Sequence, residues 1–186
     1  MVLAQRDVWP DRIRPLRRIE YESLVERGLL AESRVELLLG ALVDVPPPGP
    51  LHANVVRRLG ERLVRELSDD VHTRVQSPLA LSDDSEPEPD IAVVPAGDYD
   101  GAHPTRALLV IEIADTSLQK DRGIKTALYA TAGIPEFWLV NLTEKIVEVH
   151  RQPSSGRYAD IQRVGTGGRL TALAFPMLTI LVSDIF

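Results

Sequence analysis

The 186-residue chain has no cysteine, which excludes disulfides and thiolate-bound metals. It has no apolar run approaching the roughly 18–20 residues that span a bilayer. The opening MVLAQRDVWPDRIRP lacks the apolar core of roughly 7–15 residues that marks a secretory signal, so a cytoplasmic protein without membrane attachment is expected. Several catalytic signatures are missing too: there is no GxSxG elbow and no GxxxxGK phosphate loop. The GTGG at 165–168 is a turn without the strand–helix setting of a dinucleotide fingerprint. The four histidines (His52, His72, His103, His150) are scattered, and none forms the i, i+4 pair of a zinc helix. Basic excess is also lacking. With 27 acidic and 21 basic side chains the net charge is −6, which weighs against a tight nucleic-acid binder unless a local stripe or a bound cation offsets it. Neither repeats nor low-complexity tracts occur.

What is present is an ordinary globular composition, 44% hydrophobic and 26% charged. The length suits one domain with its own core. Residues 1–16, polar and bearing Pro10 and Pro15, are expected to form an N-terminal arm, and residues 17–186 a single domain. The stretch 17–27 reads as a short helix closed by Gly28. Segments 34–39 and 41–45 read as two strands turning at Gly40. The PPPGP run at 46–50 must be a loop. From 51 to 67, Ala53, Val56, Leu59, Leu63 and Leu67 recur at helical spacing, with Arg57, Arg58, Arg62 and Arg65 on other faces. These arginines form either a solvated helix face or a phosphate-facing surface.

A strand is expected at 71–76, then an acidic loop at 82–89. Ile91–Val94 and Leu108–Ile113 are apolar without alternation, the pattern of strands covered on both faces. A helix over 118–131 follows, then strands at 136–141 and 145–150 and a β-rich remainder with glycine turns. The order predicts an α/β (α+β) domain, a mixed central sheet flanked by helices.

Carboxylates stand out against this apolar frame. Asp90 follows Pro89 and opens a strand; Glu112 sits among Val110, Ile111 and Ile113. An ionised glutamate there is costly to bury unpaired. Either it points outward or caps a helix, or a partner such as a cation resolves the cost. Lys125 falls beside the expected Ile124/Leu128 stripe of helix 118–131, able to reach over the sheet edge or to pair with Asp121 at i−4. Glu36 alternates with Val35 and Leu37 and reads as solvent-facing. His52, next to the proline loop, reads as a helix-end or surface residue.

Taken together, VELLLG with Glu36, His52 after a proline loop, Pro89-Asp90, VIEIADTS, and DRGIKTALYATAGIPEFWLV resemble the Uma-type endonuclease family of the PD-(D/E)XK nuclease superfamily, over roughly residues 17–180. The resemblance implies a restriction-endonuclease-like core and metal-dependent hydrolysis of DNA. It implies Asp90 and Glu112 as metal ligands with Mg²⁺ as the ion (Mn²⁺ as a substitute), the backbone carbonyl of Ile113 as a further ligand, and Glu36 acting directly or through water. The superfamily signature has lysine two residues after the glutamate; here that residue is Ala114. The Uma-type pattern supplies it from the following helix, at Lys125, with Lys120 a second candidate. Gln76, near a strand end, is a candidate for orienting water. A homodimer would suit cleavage of both strands. The alternative implied by Ala114 and the acidic charge is an inactive nuclease-fold module that binds nucleic acid or protein. A third reading is an acidic α/β domain whose carboxylates are structural.

Overall fold

The computed structural model describes residues 14–115 and 117–186. Of the expected arm, residues 1–13 lie outside the described residues. Its last part is tied down: the Arg14 guanidinium meets Glu20 at 2.9 Å, and Leu16 N–H donates to Gly40 O.

Helix α1 (Arg18–Glu26) is followed by a hairpin, β1 (Val35–Leu38) and β2 (Ala41–Asp44), and then by α2 (Pro50–Glu66). Pro50, expected in the loop, instead opens α2, because the first helical position needs no N–H. Strands β3 (Val71–Val75), β4 (Ile91–Pro95) and β5 (Leu109–Ala114) come next. The helical stretch expected over 118–131 comprises α3 (Leu118–Lys120), a π-helical turn (Asp121–Lys125) and α4 (Thr126–Thr131). Strands β6 (Glu136–Asn141), β7 (Ile146–Ser154), β8 (Arg157–Gly165), β9 (Arg169–Ala172) and β10 (Phe175–Leu181) complete the chain, with a 3₁₀ turn at Val182–Asp184.

Strands β3 to β8 form one six-stranded sheet in sequence order. Only β5 and β6 pair in parallel; all other neighbours are antiparallel. The expected α/β class with a mixed sheet is what the structure shows. The unalternated strands are the central ones: every residue of β5 and β6 is buried. Alternate residues serve two apolar layers. Ile91, Val93, Leu109, Ile111, Ile113 and Trp138 pack with Val55, Val56, Leu59 and Leu63 of α2. Ala92, Val94, Val110, Phe137 and Leu139 pack on the other face with Tyr129 and Ala130 of α4. Each such aliphatic side chain contributes about 1.5–3 kcal/mol on full burial. Glu112 falls between Val110 and Ala114 on the α4 side, a polar position within an apolar stripe. Among the described residues, no helix is long and apolar enough to cross a membrane.

The β1–β2 turn depends on Gly40, whose φ is +76°. Its N–H donates to Asp84 O, and a side-chain carbon added there would overlap Pro15. Gly40→Ala is therefore expected to destabilise the protein by about 2 kcal/mol or more, from backbone strain and steric overlap together. Urea unfolding of the variant checks this; an unchanged midpoint would mean the turn is not packed as described.

Candidate active site

Asp90 sits one residue before β4, where β4 and β5 cease to pair. The last rung opposite Ile111 is Ile91. The Ile113 N–H, beyond that rung, donates instead to Asp90 Oδ2 at 2.8 Å. This bond fixes Asp90 against the end of β5, one residue beyond Glu112. His52, in the first turn of α2, places Nε2 3.1 Å from the same Asp90 oxygen. Gln76, just past β3, donates from its N–H to Asp90 O at 3.0 Å, and its side-chain amide lies 3.5 Å from Asp90 Oδ1. Gln76 has a φ of +45°, an uncommon conformation for a non-glycine residue and one that clusters at functional sites.

Glu112 is only 4% exposed. Its Oε1 accepts hydrogen bonds from Lys125 Nζ at 2.9 Å and from the Tyr129 hydroxyl. No hydrogen bond reaches Oε2 among the described residues. Lys125, equally buried, also lies 3.1 Å from Glu36 Oε2. Glu36 is fully buried, and Lys120 meets its other oxygen at 2.9 Å.

The structure thus gathers Asp90, Glu112, Lys125, Glu36, Lys120, Gln76 and Ile113 in one region. Three expectations from residue patterning change. Glu36 is not solvent-facing: the 82–89 segment bridges onto β1, with the Glu86 N–H donating to Leu37 O at 2.7 Å, and closes over it. Lys125 is not at the edge of a stripe built on Ile124. Ile124 is 42% exposed, and the inward face carries Asp121, Lys125, Leu128 and Tyr129. Inside the wide turn, the Thr126 N–H reaches back to Asp121 O, and the added residue shifts helical phase by about 100°. His52 is not a plain helix-end residue, since it contacts Asp90. Asp121 was readable only as a surface partner for Lys125, yet it is 2% exposed and accepts a bond from Ser117.

These side chains line or underlie a cavity of about 290 Å³, walled by the proline loop Val45–Gly49. Five carboxylates line it (Glu88, Asp90, Glu112, Asp115 and Asp121), against three cations, Arg34, Lys120 and Lys125. Burial pushes the Glu112 carboxyl up to about 8, with Asp121, Asp90 and Glu36 adding to the rise against the pull of Lys125. Burial also raises Asp121 and Glu88. Burial alone would raise Glu36, but Lys125 and Lys120 outweigh it and hold that carboxyl below its usual range. Burial would likewise lower the Lys125 ammonium, but Glu112, Glu36 and Asp121 reverse this and keep it firmly protonated.

Among the described residues, no three His, Asp or Glu side chains come together as a ready metal-binding group. The donor set at the cavity floor is smaller: two carboxylates, Asp90 and Glu112, beside the Ile113 backbone. Oxygen-only donors suit a hard divalent cation, which can keep water in its remaining positions. The excess of carboxylates and the raised Glu112 are what an added positive charge would relieve. The residues therefore fit such an ion.

Glu136 is an instructive contrast. It is fully buried, but Arg151, Trp138 Nε1 and the Leu173 N–H take up both its oxygens. That carboxylate is structural. The α2 arginines also have partners within the molecule. Arg57 and Arg62 pair with Glu61 and Glu66, while Arg58 and Arg65 donate to the carbonyls of Ile185 and Glu61. Arg57, Arg58 and Arg65 are exposed, as either expectation for this face requires.

No curated protein matches the chain. The fold is similar to the crystal structure of a putative nuclease belonging to DUF820 from Anabaena variabilis. The TM-score is 0.68 at 18% identity, covering 83% of this chain and 90% of that one. A family model described as "Putative restriction endonuclease" matches residues 20–183, and the chain belongs to that family, Uma2.

Proposed function

We propose that the protein is a cytoplasmic, metal-dependent endonuclease that hydrolyses phosphodiester bonds in DNA, with Mg²⁺ as the ion and Mn²⁺ able to replace it. One observation carries this reading. A buried, protonated lysine bridges two buried glutamates beside an aspartate, at the floor of a cavity rich in carboxylates. Glu112 borders that cavity with Oε2 free of hydrogen bonds among the described residues.

In this reading Asp90, Glu112 and the Ile113 carbonyl hold the ion, with Glu36 acting through water. When bound, such an ion lowers the pKa of a water and polarises a phosphoryl oxygen. The chain's own groups do the rest. The bonds from Ile113 N–H and His52 hold Asp90 Oδ2, and the Gln76 amide lies 3.5 Å from Oδ1. Lys125 is kept charged by its carboxylate neighbours and stands where it can orient water or offset negative charge gathering on the phosphoryl oxygens. Its two glutamate partners fix the ammonium in place, so little reorganisation is needed during reaction.

The test is a thermal-unfolding titration with Mn²⁺ and Mg²⁺ on wild type and Asp90→Asn, followed by turnover on DNA. Wild type should gain about 2.7 kcal/mol at a metal concentration 100-fold above Kd, and Asp90→Asn should gain none. Equal response of the two proteins would remove Asp90 from the metal site. A metal response without turnover on any DNA would favour a binding module over an enzyme.

A further inference from the structure

The cavity beside the candidate site has a neighbour. A second hollow of about 180 Å³ lies between α1 and the segment leading into β1, floored by Tyr21, Val25 and Leu30. The two share Arg34 and Glu88 as a common wall. Of the three cations around the main cavity, Lys120 and Lys125 are tied to carboxylates, whereas Arg34 is exposed and makes no salt bridge among the described residues. A guanidinium with its donors uncommitted, at the lip of a site for phosphoryl chemistry, is suited to a phosphate oxygen.

The shape of the site limits what can bring a phosphate there. Glu112 and Lys125 are each 4% exposed and Asp90 8%, so the chemistry lies at the bottom of a recess. A duplex binds through many phosphate contacts along a basic surface. Here Arg57 and Arg62 of α2 are paired with Glu61 and Glu66, and the net charge is −6. A single strand can bend into a recess and turn one base out of the stack. The second hollow, with an apolar floor and a polar rim, offers space for one such base.

We propose, resting on the nuclease reading above, that the substrate is single-stranded or locally unpaired nucleic acid. Arg34 binds a phosphate next to the reacting one, and the hollow beneath α1 receives the base of the adjoining nucleotide. A site of this kind handles one strand at a time and does not call for the paired copies that duplex cutting would favour.

The test measures anisotropy of a short labelled oligodeoxynucleotide, its duplex, and a strand of the same length built of abasic residues. Ca²⁺ serves as the divalent ion for binding, and cleavage is followed in parallel samples with Mg²⁺ or Mn²⁺. The single strand should bind about tenfold more tightly than the duplex, and the abasic strand should lose much of that advantage. Arg34→Ala should weaken single-strand binding by about tenfold, and Arg34→Lys by less. Ala31→Trp, at an exposed position lining the hollow, should weaken binding of the normal strand and leave the abasic strand unaffected. Equal or tighter duplex binding overturns the proposal, as does an Ala31→Trp effect of the same size on both strands, or no binding of any oligonucleotide. The expected binding pattern without cleavage under Mg²⁺ or Mn²⁺ would support the subsite and sink the nuclease reading; preferential duplex cleavage would do the reverse.

Discussion

Asp90→Ala and Glu112→Ala are each expected to lower metal-dependent DNA cleavage by at least about a thousandfold, a loss equivalent to about 4 kcal/mol of transition-state stabilisation. The two residues do different jobs in reaching that result. Asp90 is held by a backbone N–H from β5 and by His52, so its removal frees a strand-end donor as well as a ligand. Glu112 is held by Lys125 and Tyr129, so its removal also releases the lysine. Asp90→Asn and Glu112→Gln separate ligand loss from structural loss. Both keep an oxygen to accept the existing bonds while removing the negative charge that a cation needs. They should unfold near the wild-type midpoint in chelator, and neither should cleave. Metal-dependent cleavage retained by any of the four variants, in preparations free of contaminating nuclease, would overturn the assignment. Loss of cleavage with collapse of the metal-free midpoint in the Asn and Gln variants would show a structural role instead.

The fold was more legible than the site, for a physical reason. β4 and β5 announce themselves as unbroken apolar runs because both faces of the central sheet are covered, and the structure places them within a residue of where they are expected. Helix α2 shows its buried face through Val56, Leu59 and Leu63, although Ala53, expected on that face, is exposed. The candidate site lacks such a signal. The inward face of the 118–131 stretch begins with Asp121 and Lys125, so a search for apolar spacing settles on the exposed Ile124. The π turn that brings Lys125 inward leaves no mark in composition. Glu36 alternates as a solvent-facing residue would, and only the distant 82–89 segment buries it. His52 gains its partner because the loop at 46–49 sets the start of α2 against Asp90. What made Asp90, Glu112, Lys125 and Glu36 candidates was a family resemblance carried by their order along the chain. The family comparison supports that resemblance, and the geometry brings the four together.

Those contacts make Lys125 a stability determinant as well as a candidate for chemistry. Lys125→Met is expected to cost about 3–5 kcal/mol in metal-free protein near pH 8, because it leaves two buried glutamates without their shared cation. The cost should depend on pH. In wild type, Glu36 is held below its usual range by Lys125 and Lys120; its contribution to stability is therefore present above the unfolded carboxylate value and lost as pH falls. Glu112 is raised to about 8 by burial, so its contribution is fully present below the unfolded value and is lost as pH rises through about 8. Removing Lys125 raises both carboxyls from their wild-type values. The variant then binds more protons than wild type in the folded state, and the difference in stability shrinks as pH falls from about 8 toward 5. Lys125→Arg would keep the charge but force a larger planar group between Glu36 and Glu112, and should recover only part of the loss. Urea unfolding of wild type and both variants in chelator at pH 5.5, 7 and 8.5 provides the measurement. A cost for Lys125→Met that stays constant across this range would mean that the aliphatic stem and its packing, rather than the charge between the two glutamates, hold this part of the molecule together.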